Sequence, residues 1–211
     1  MRHGFPTARF HQALLEGWTL TDGAGVVDTV TDQTDGSCDI VTAAIIGSFT
    51  LKLPIKDFLG GLPDPDGSFT TWAYCRMITG VAAFDYVSVG LSDDVAGNAI
   101  FGGPRVNGDL FMAAFGASGA SGGTACDRVV IPFVSHGGQN QSIAYGYGYD
   151  SASPPAYVKT RGQTSAVQAF APSHLYVQLN NSTAIVQTLS VEVGFFVAPS
   201  VPDFLSNTPR A

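Results

Sequence analysis

The chain has 211 residues, a formal net charge of −7, and 13% charged against 45% hydrophobic residues. The length suits one domain, and the acidic balance, with its ten Lys and Arg scattered singly, argues against a phosphate-binding surface, so no nucleic acid partner is expected. No run of 18 apolar residues occurs, so no membrane insertion is expected, yet a mean hydropathy of +0.19 is high for a chain that stays free of partners.

The opening segment, MRHGFPTARFHQALLEG, lacks the continuous apolar stretch and small-residue cleavage site of a signal peptide. The chain is expected to be made in a host cytoplasm and kept there until it assembles. Within this segment TARFHQALLEGW reads as one short helix: Thr7 can cap it, Phe10 and Leu14 lie four apart, and Gly17 would stop it. Residues 1–20 are therefore expected to form an arm, with Phe5, Phe10, Leu14, Leu15 and Trp18 docking on a neighbour. Residues 21–198 are expected to form a β-sandwich domain, and 199–211 a Pro-containing extended tail.

Over the whole chain two glutamates and three lysines stand among abundant Gly, Thr, Ser, Val and Phe, a balance that disfavours helices and suits strands after the arm. GSFTLKLPI alternates Phe49, Leu51, Leu53 and Ile55 with Ser48, Thr50 and Lys52. TLSVEVGFFVA does the same with Leu189, Val191, Val193 and Phe195 against Ser190, Glu192 and Gly194. Both read as half-buried strands. Further strands are expected at SFTTWAYCRMI, FDYVSVGLS, NAIFGG, DLFMAAFG, RVVIPFVSH, SIAYGYGYD, AYVKTR and HLYVQLN, each bounded by turn residues. Short strands at this spacing predict an all-β antiparallel sandwich. GGLPDPDGS and GASGASGGTA read as loops, the second too rich in small residues to pack by itself.

Chemical signatures are sparse. GASGG, residues 119–123, matches a nucleophile elbow at Ser121, but that motif needs a strand before it and a helix after it, so a flexible loop is the better reading. DPDG at 64–67 starts like a calcium loop, but Cys75 stands where the bidentate Glu belongs. Asp93, Asp94 and Asn98 offer too few oxygens for calcium without help from other loops. His3, His11, His136 and His174 have no ligand spacing, and Cys38, Cys75 and Cys126 form no C-x-x-C pair. Buried free thiols are expected, with no metal and no cofactor.

Residues 69–103 nevertheless resemble the central strands of concanavalin-like (legume-lectin or laminin-G-like) sandwiches. Phe69, Tyr74 and Arg76 match one strand of that pattern, Tyr86, Gly90, Leu91 and Asp93 the next, and Phe101 and Gly102 a third. The stretch HLYVQLNNSTAIVQTLSVEVGFFVA is similar to that family's closing strands. Single sandwiches with a short arm and an early Trp resemble accessory virion proteins of tailed bacteriophages, which act in head decoration, fibres or tails. Glucanases of the concanavalin-like fold use an E-x-D-x-x-E strand to supply two close carboxylates. Here Glu16 lies in the arm and Glu192 stands alone, so no catalytic residue is expected.

Tyr145, Tyr147 and Tyr149, spaced by Gly146 and Gly148, would share one face of an extended strand. Such a stripe suits intrachain packing, a subunit contact or a sugar platform. The resulting expectation is a non-enzymatic structural protein of a phage virion. It would assemble with itself, a trimer being the favoured order, and with other virion proteins. The alternative is an adhesion module in which Asp93, Asn98 and the tyrosines hold a host-surface glycan.

Overall fold

The alternation at residues 49–55 and 189–195 builds the centre of the molecule, because each stretch lends its apolar half to the same core from opposite sides. A computed structural model describes residues 7–9, 18–33, 37–55, 69–82, 85–93, 98–106, 110–114, 117–121, 128–136, 139–142, 145–150, 156–161 and 172–198. The elements described are all strands. They run β1 Thr7–Arg9, β2 Thr19–Thr21, β3 Val27–Asp32, β4 Cys38–Thr42, β5 Gly47–Pro54, β6 Phe69–Thr79, β7 Tyr86–Ser92 and β8 Ala99–Pro104. Then follow β9 Leu110–Ala114, β10 Ala117–Ser121, β11 Arg128–His136, β12 Gln139–Ser142, β13 Tyr145–Asp150, β14 Ala156–Arg161, β15 His174–Asn181 and β16 Gln187–Ala198.

They form two antiparallel sheets. The nine-stranded sheet has the order β14-β13-β11-β6-β16-β4-β3, with β1 also on β16 and β12 also on β11. The seven-stranded sheet has the order β10-β9-β8-β7-β15-β5-β2. This is an all-β sandwich of the jelly-roll type, as the strand pattern predicts. Ile40, Cys75, Leu189 and Val191 from one sheet meet Phe49, Leu91, Ile100, Leu175 and Leu179 from the other in one apolar cluster. Each large side chain withdrawn here contributes roughly 1.5–3 kcal/mol. Cys38 and Cys75 are buried free thiols. The Cys75 thiol points across the core to the Val87 and Gly102 carbonyls, at 3.9 and 3.8 Å.

Three expectations change. Thr7, read as a helix cap, begins a strand that pairs antiparallel with β16, Thr7 opposite Phe196. The cause is tertiary: the edge of β16 offers ladder partners that outweigh a weak local helix preference. Trp18, read as part of a docking arm, is 8% exposed and belongs to the chain's own core, its ring 6.0 Å from that of Phe195. The rest of the proposed arm, Phe5, Phe10, Leu14 and Leu15, lies outside the described residues. Finally, the first half of the GASGASGGTA stretch is not a loop, since Ala117–Ser121 forms β10 against β9. Small residues suffice there because backbone hydrogen bonds hold the pair.

One end of the sandwich is knotted by a buried carboxylate. Asp85 is fully buried. Its Oδ2 accepts from the Val81 and Ala82 N–H groups and the Gln187 amide, and its Oδ1 accepts from the Ser182 N–H and hydroxyl. Burial works to raise the Asp85 pKa, but the backbone bonds from Ser182 and Ala82 and the side-chain bonds from Ser182 and Gln187 outweigh it, leaving it below 3.8. The Asn181 amide extends the knot by donating to Thr42 Oγ1 and to the Ala43 and Ile45 carbonyls. The turns β4–β5, β6–β7 and β15–β16 are thereby fixed to one another.

Candidate functional site on the outer face of the seven-stranded sheet

Alternation assigns the two faces of the seven-stranded sheet. Val87, Val89 and Leu91 of β7, Leu175, Val177 and Leu179 of β15, and Phe49, Leu51 and Leu53 of β5 all lie in the core. The residues between them therefore point to the opposite face. The strand registers set these outer residues in rows. Arg105, Tyr86, Asn180 and Ser48 form the first. Ser88, Gln178 and Thr50 form the second. Phe101, Gly90, Tyr176 and Lys52 form the third, and Ala99, Ser92, His174 and Pro54 the fourth. Successive rows fall about 7 Å apart, two residues along a strand.

This face is neither core nor ordinary solvated surface. Tyr176 is 7% exposed although it points away from the core, and Ser88 and Ser92 are buried too. In the third row Gly90 adds no side chain, and Phe101 and Tyr176 lean together across it with ring centroids 5.3 Å apart. A Cβ at Gly90 would meet the Ile100 carbonyl oxygen at 1.9 Å, so the glycine is required by the close approach of β8. Burial raises the Tyr86 pKa, partly countered by the Arg105 charge and a hydrogen bond with Ser48. Burial also raises that of Tyr176, with the neighbouring Tyr86 adding to the effect. Both phenols stay neutral at physiological pH and act as hydrogen-bonding groups, not as bases.

Two acceptors on this face have no hydrogen-bond partner among the protein atoms: Gln178 Oε1 and Ser92 Oγ, both buried. Leaving such a group unmade costs about 1–3 kcal/mol. In the fourth row the Ser173 hydroxyl meets His174 Nδ1 at 2.7 Å. Beside it Asp93 and Asn98 clasp the β7–β8 connection: the Asn98 amide donates to Asp93 Oδ2 at 2.6 Å, and the Asp93 N–H donates to the Asn98 carbonyl at 3.1 Å. The Lys52 ammonium donates to the Asp93 carbonyl at 3.4 Å.

The residues singled out by sequence are not brought together. Asp93 and Asn98 close one end of the seven-stranded sheet, whereas Tyr145, Tyr147 and Tyr149 lie on β13 in the other sheet. Tyr149 is in register with Arg128, which pairs with Arg76, which pairs with Glu192. There the Glu192 carboxylate accepts from the Tyr74 hydroxyl at 2.8 Å and pairs with Arg76 at 3.5 Å. A single pocket built from Asp93, Asn98 and Tyr149 is therefore corrected. Ser121 ends β10 opposite Phe111, and DPDG, Asp94 and Cys126 lie outside the described residues. Among the described residues no cluster of three or more His, Cys, Asp or Glu is placed to hold a metal.

No protein family and no curated protein matches this chain. Solved structures do. The sandwich is similar to the conserved carbohydrate esterase of the Shiga toxin-encoding bacteriophage phi24B, with 19% identity over 85% of this chain and 90% of that one and a TM-score of 0.41. It is similar to an alginate lyase of polysaccharide lyase family 7, with 13% identity over 87% of this chain and 94% of that one and a TM-score of 0.44. It is also similar to botulinum neurotoxin type C, which interacts with two ganglioside molecules, with 8% identity over 87% of this chain, 43% of that chain and a TM-score of 0.41.

The expectation of a non-enzymatic protein is corrected by these likenesses. The similar structures are mostly enzymes: the esterase, alginate lyases, a sialidase and a glycoside hydrolase protein. That expectation rested on the absence of one constellation, a pair of close carboxylates on a strand.

Proposed function

We propose that this chain is a carbohydrate-engaging sandwich that holds its glycan on the outer face of the seven-stranded sheet. The carrying observation is the sequence of rows. The Phe101–Tyr176 ring pair and Tyr86 flank a polar row in which Gln178 Oε1 is buried and lacks a protein partner. Rings stack on the apolar face of a sugar, and a buried amide oxygen between them accepts from a sugar hydroxyl. The test is a glycan array followed by calorimetry with the full chain. Saturable binding that weakens in Gln178→Ala and Phe101→Ala, with unfolding unchanged, supports the reading. Binding untouched by both variants, or no binder, sinks it.

A second reading concerns assembly on a larger particle, such as a phage virion, by a homo-oligomer. Its support is a set of exposed aliphatic side chains at the Asp85 end: Ile46 is 62% exposed, Val81 68% and Val186 67%, with Ile45 and Ile185 beside them in the turns. Apolar side chains gathered on turns as rigid as these suit contact with another subunit. Light scattering of the full chain and of Ile46→Ser/Val186→Ser tests it. An oligomer that dissociates in the double variant supports it, and a monomer in both overturns it. The two readings are compatible, since one uses a sheet face and the other a loop end.

A further inference from the structure

The outer face of the nine-stranded sheet is the other broad surface of the sandwich. On β6 the buried Thr71, Ala73, Cys75 and Met77 alternate with Trp72, Tyr74 and Arg76, and on β16 the buried Val191, Val193 and Phe195 enclose Glu192 and Gly194. The residues between the buried ones point outward and are partly exposed, the Arg76 and Glu192 side chains at 29% and 26%. Directly opposed residues of antiparallel strands share a face, so the registers carry two rows across β16, β6, β11, β13 and β14. One runs Glu192, Arg76, Arg128, Tyr149, Tyr157, and the next Gly194, Tyr74, Val130, Tyr147, Lys159. Tyr145 follows the same alternation on β13. Of the chain's seven tyrosines, Tyr74, Tyr145, Tyr147, Tyr149 and Tyr157 thus hold positions on one face, together with Trp72.

The described rings on this face are within reach of a ligand. Trp72 and Tyr74 are partly exposed, whereas Tyr176 on the other sheet is 7% exposed. The polar groups between them are held in place: the Tyr74 hydroxyl donates to Glu192 Oε2 at 2.8 Å, and Arg76 pairs with the same oxygen at 3.5 Å. Among the described residues Ile78 is the one exposed aliphatic side chain of this face, the others lying in the turns or on β2. A permanent subunit contact is more apolar than that. Rings interleaved with a fixed ion pair suit a ligand that is apolar on its ring faces and hydroxylated at its edges.

Strand spacing selects the form of that ligand. Neighbouring strands lie about 4.8 Å apart, close to the advance of one pyranose in an extended 1,4-linked chain. Tyr74 and Tyr147 share a row two strands apart, so a chain crossing the strands would present alternate sugar units to them. We infer that the outer face of the nine-stranded sheet is a platform for an extended 1,4-linked polysaccharide laid across the strands. It is a second surface, separate from the glycan site on the seven-stranded sheet, and it stands without that site.

Trp72 provides the readout. The chain has two tryptophans, and Trp18 is 8% exposed within the core, so acrylamide quenching of the accessible fluorescence reports Trp72. The full chain is titrated with cellohexaose, chitohexaose, xylohexaose and hexagalacturonate, and with the matching disaccharides, by quenching and by calorimetry. At least one hexasaccharide is expected to protect Trp72 and to bind about tenfold or more tightly than its disaccharide. Tyr147→Ala should weaken that binding by about tenfold, the scale of a central aromatic contact. Phe101→Ala, on the other sheet, should leave it unchanged. Binding that Phe101→Ala weakens and Tyr147→Ala does not, with Trp72 still quenched, assigns the ligand to the seven-stranded sheet and overturns the platform. Equal affinity for hexasaccharide and disaccharide overturns a chain spanning the strands. Absence of protection by every hexasaccharide overturns the inference and leaves the seven-stranded site to its own array. Thermal unfolding of each variant separates loss of binding from loss of fold.

Discussion

The indole of Trp18 packs on the Phe195 ring at 6.0 Å between centroids, with the planes tilted by 41°. Trp18 immediately precedes β2 of the seven-stranded sheet, and Phe195 belongs to β16 of the nine-stranded sheet, so the pair pins the two layers together. Trp18→Ala should destabilise the sandwich by about 3–5 kcal/mol, the range for removing a buried aromatic. Chemical denaturation monitored by circular dichroism reads this directly. A variant as stable as the parent, altered only in its oligomeric state, would return Trp18 to a docking role.

The Asp85 knot predicts acid sensitivity with a definite sign. Its folded pKa lies below the ordinary value of 3.8, so its stabilisation is fully present above that value and is lost as pH falls through the folded pKa. Melting temperature should therefore drop below about pH 4. Asp85→Asn should be less stable at neutral pH by about 1.5–3 kcal/mol, the worth of a hydrogen bond to a charged group. It should also show a flatter profile in acid. Parallel profiles for the two proteins would mean that other carboxylates govern the acid limb.

The buried phenols make the opposite prediction at high pH. The pKa of Tyr176 and that of Tyr86 are raised above 10.0, so the unfolded chain loses these protons first and stability falls as pH climbs past about 10. Ultraviolet titration should show some tyrosines ionising at ordinary pH and others only as the fold gives way. Removing one slow component in Tyr176→Phe would identify it.

Gly90→Ala tests the close approach of β7 and β8. A methyl group meeting backbone 1.9 Å away can be accommodated only by moving a strand. A loss of about 1–3 kcal/mol is expected, with altered near-ultraviolet dichroism from the Phe101–Tyr176 pair. Unchanged stability and spectrum would show that the strands separate at little cost.

Much of the sandwich was legible because period-two patterns report burial directly. Phe49, Leu51, Leu53 and Leu189, Val191, Val193, Phe195 alternate in sequence and are buried as read. Strands without such a pattern escaped. Thr7–Arg9 is too short to show a period, and Ala117–Ser121 is built of residues that also make loops. The outer face was hidden for a different reason. It depends on the register among β5, β7, β8 and β15, which bring Lys52, Gly90, Phe101 and Tyr176 into one row from distant parts of the chain. A signal did exist. Tyr86, Ser88, Gly90 and Ser92, like His174, Tyr176, Gln178 and Asn180, occupy the polar half of their alternations without one Lys or Glu. Solvated strands usually place charges at such positions.

The knot beneath the turns also constrains how this protein can be altered. Because one carboxylate and one amide couple the β4–β5, β6–β7 and β15–β16 connections, lengthening any one of them would draw donors away from the other two. Grafted peptides, tags or new loops should therefore be tolerated poorly at that pole. They should be accepted more readily at the opposite pole, where the Asp93–Asn98 clasp closes the β7–β8 connection and the Lys52 ammonium joins it through the Asp93 carbonyl.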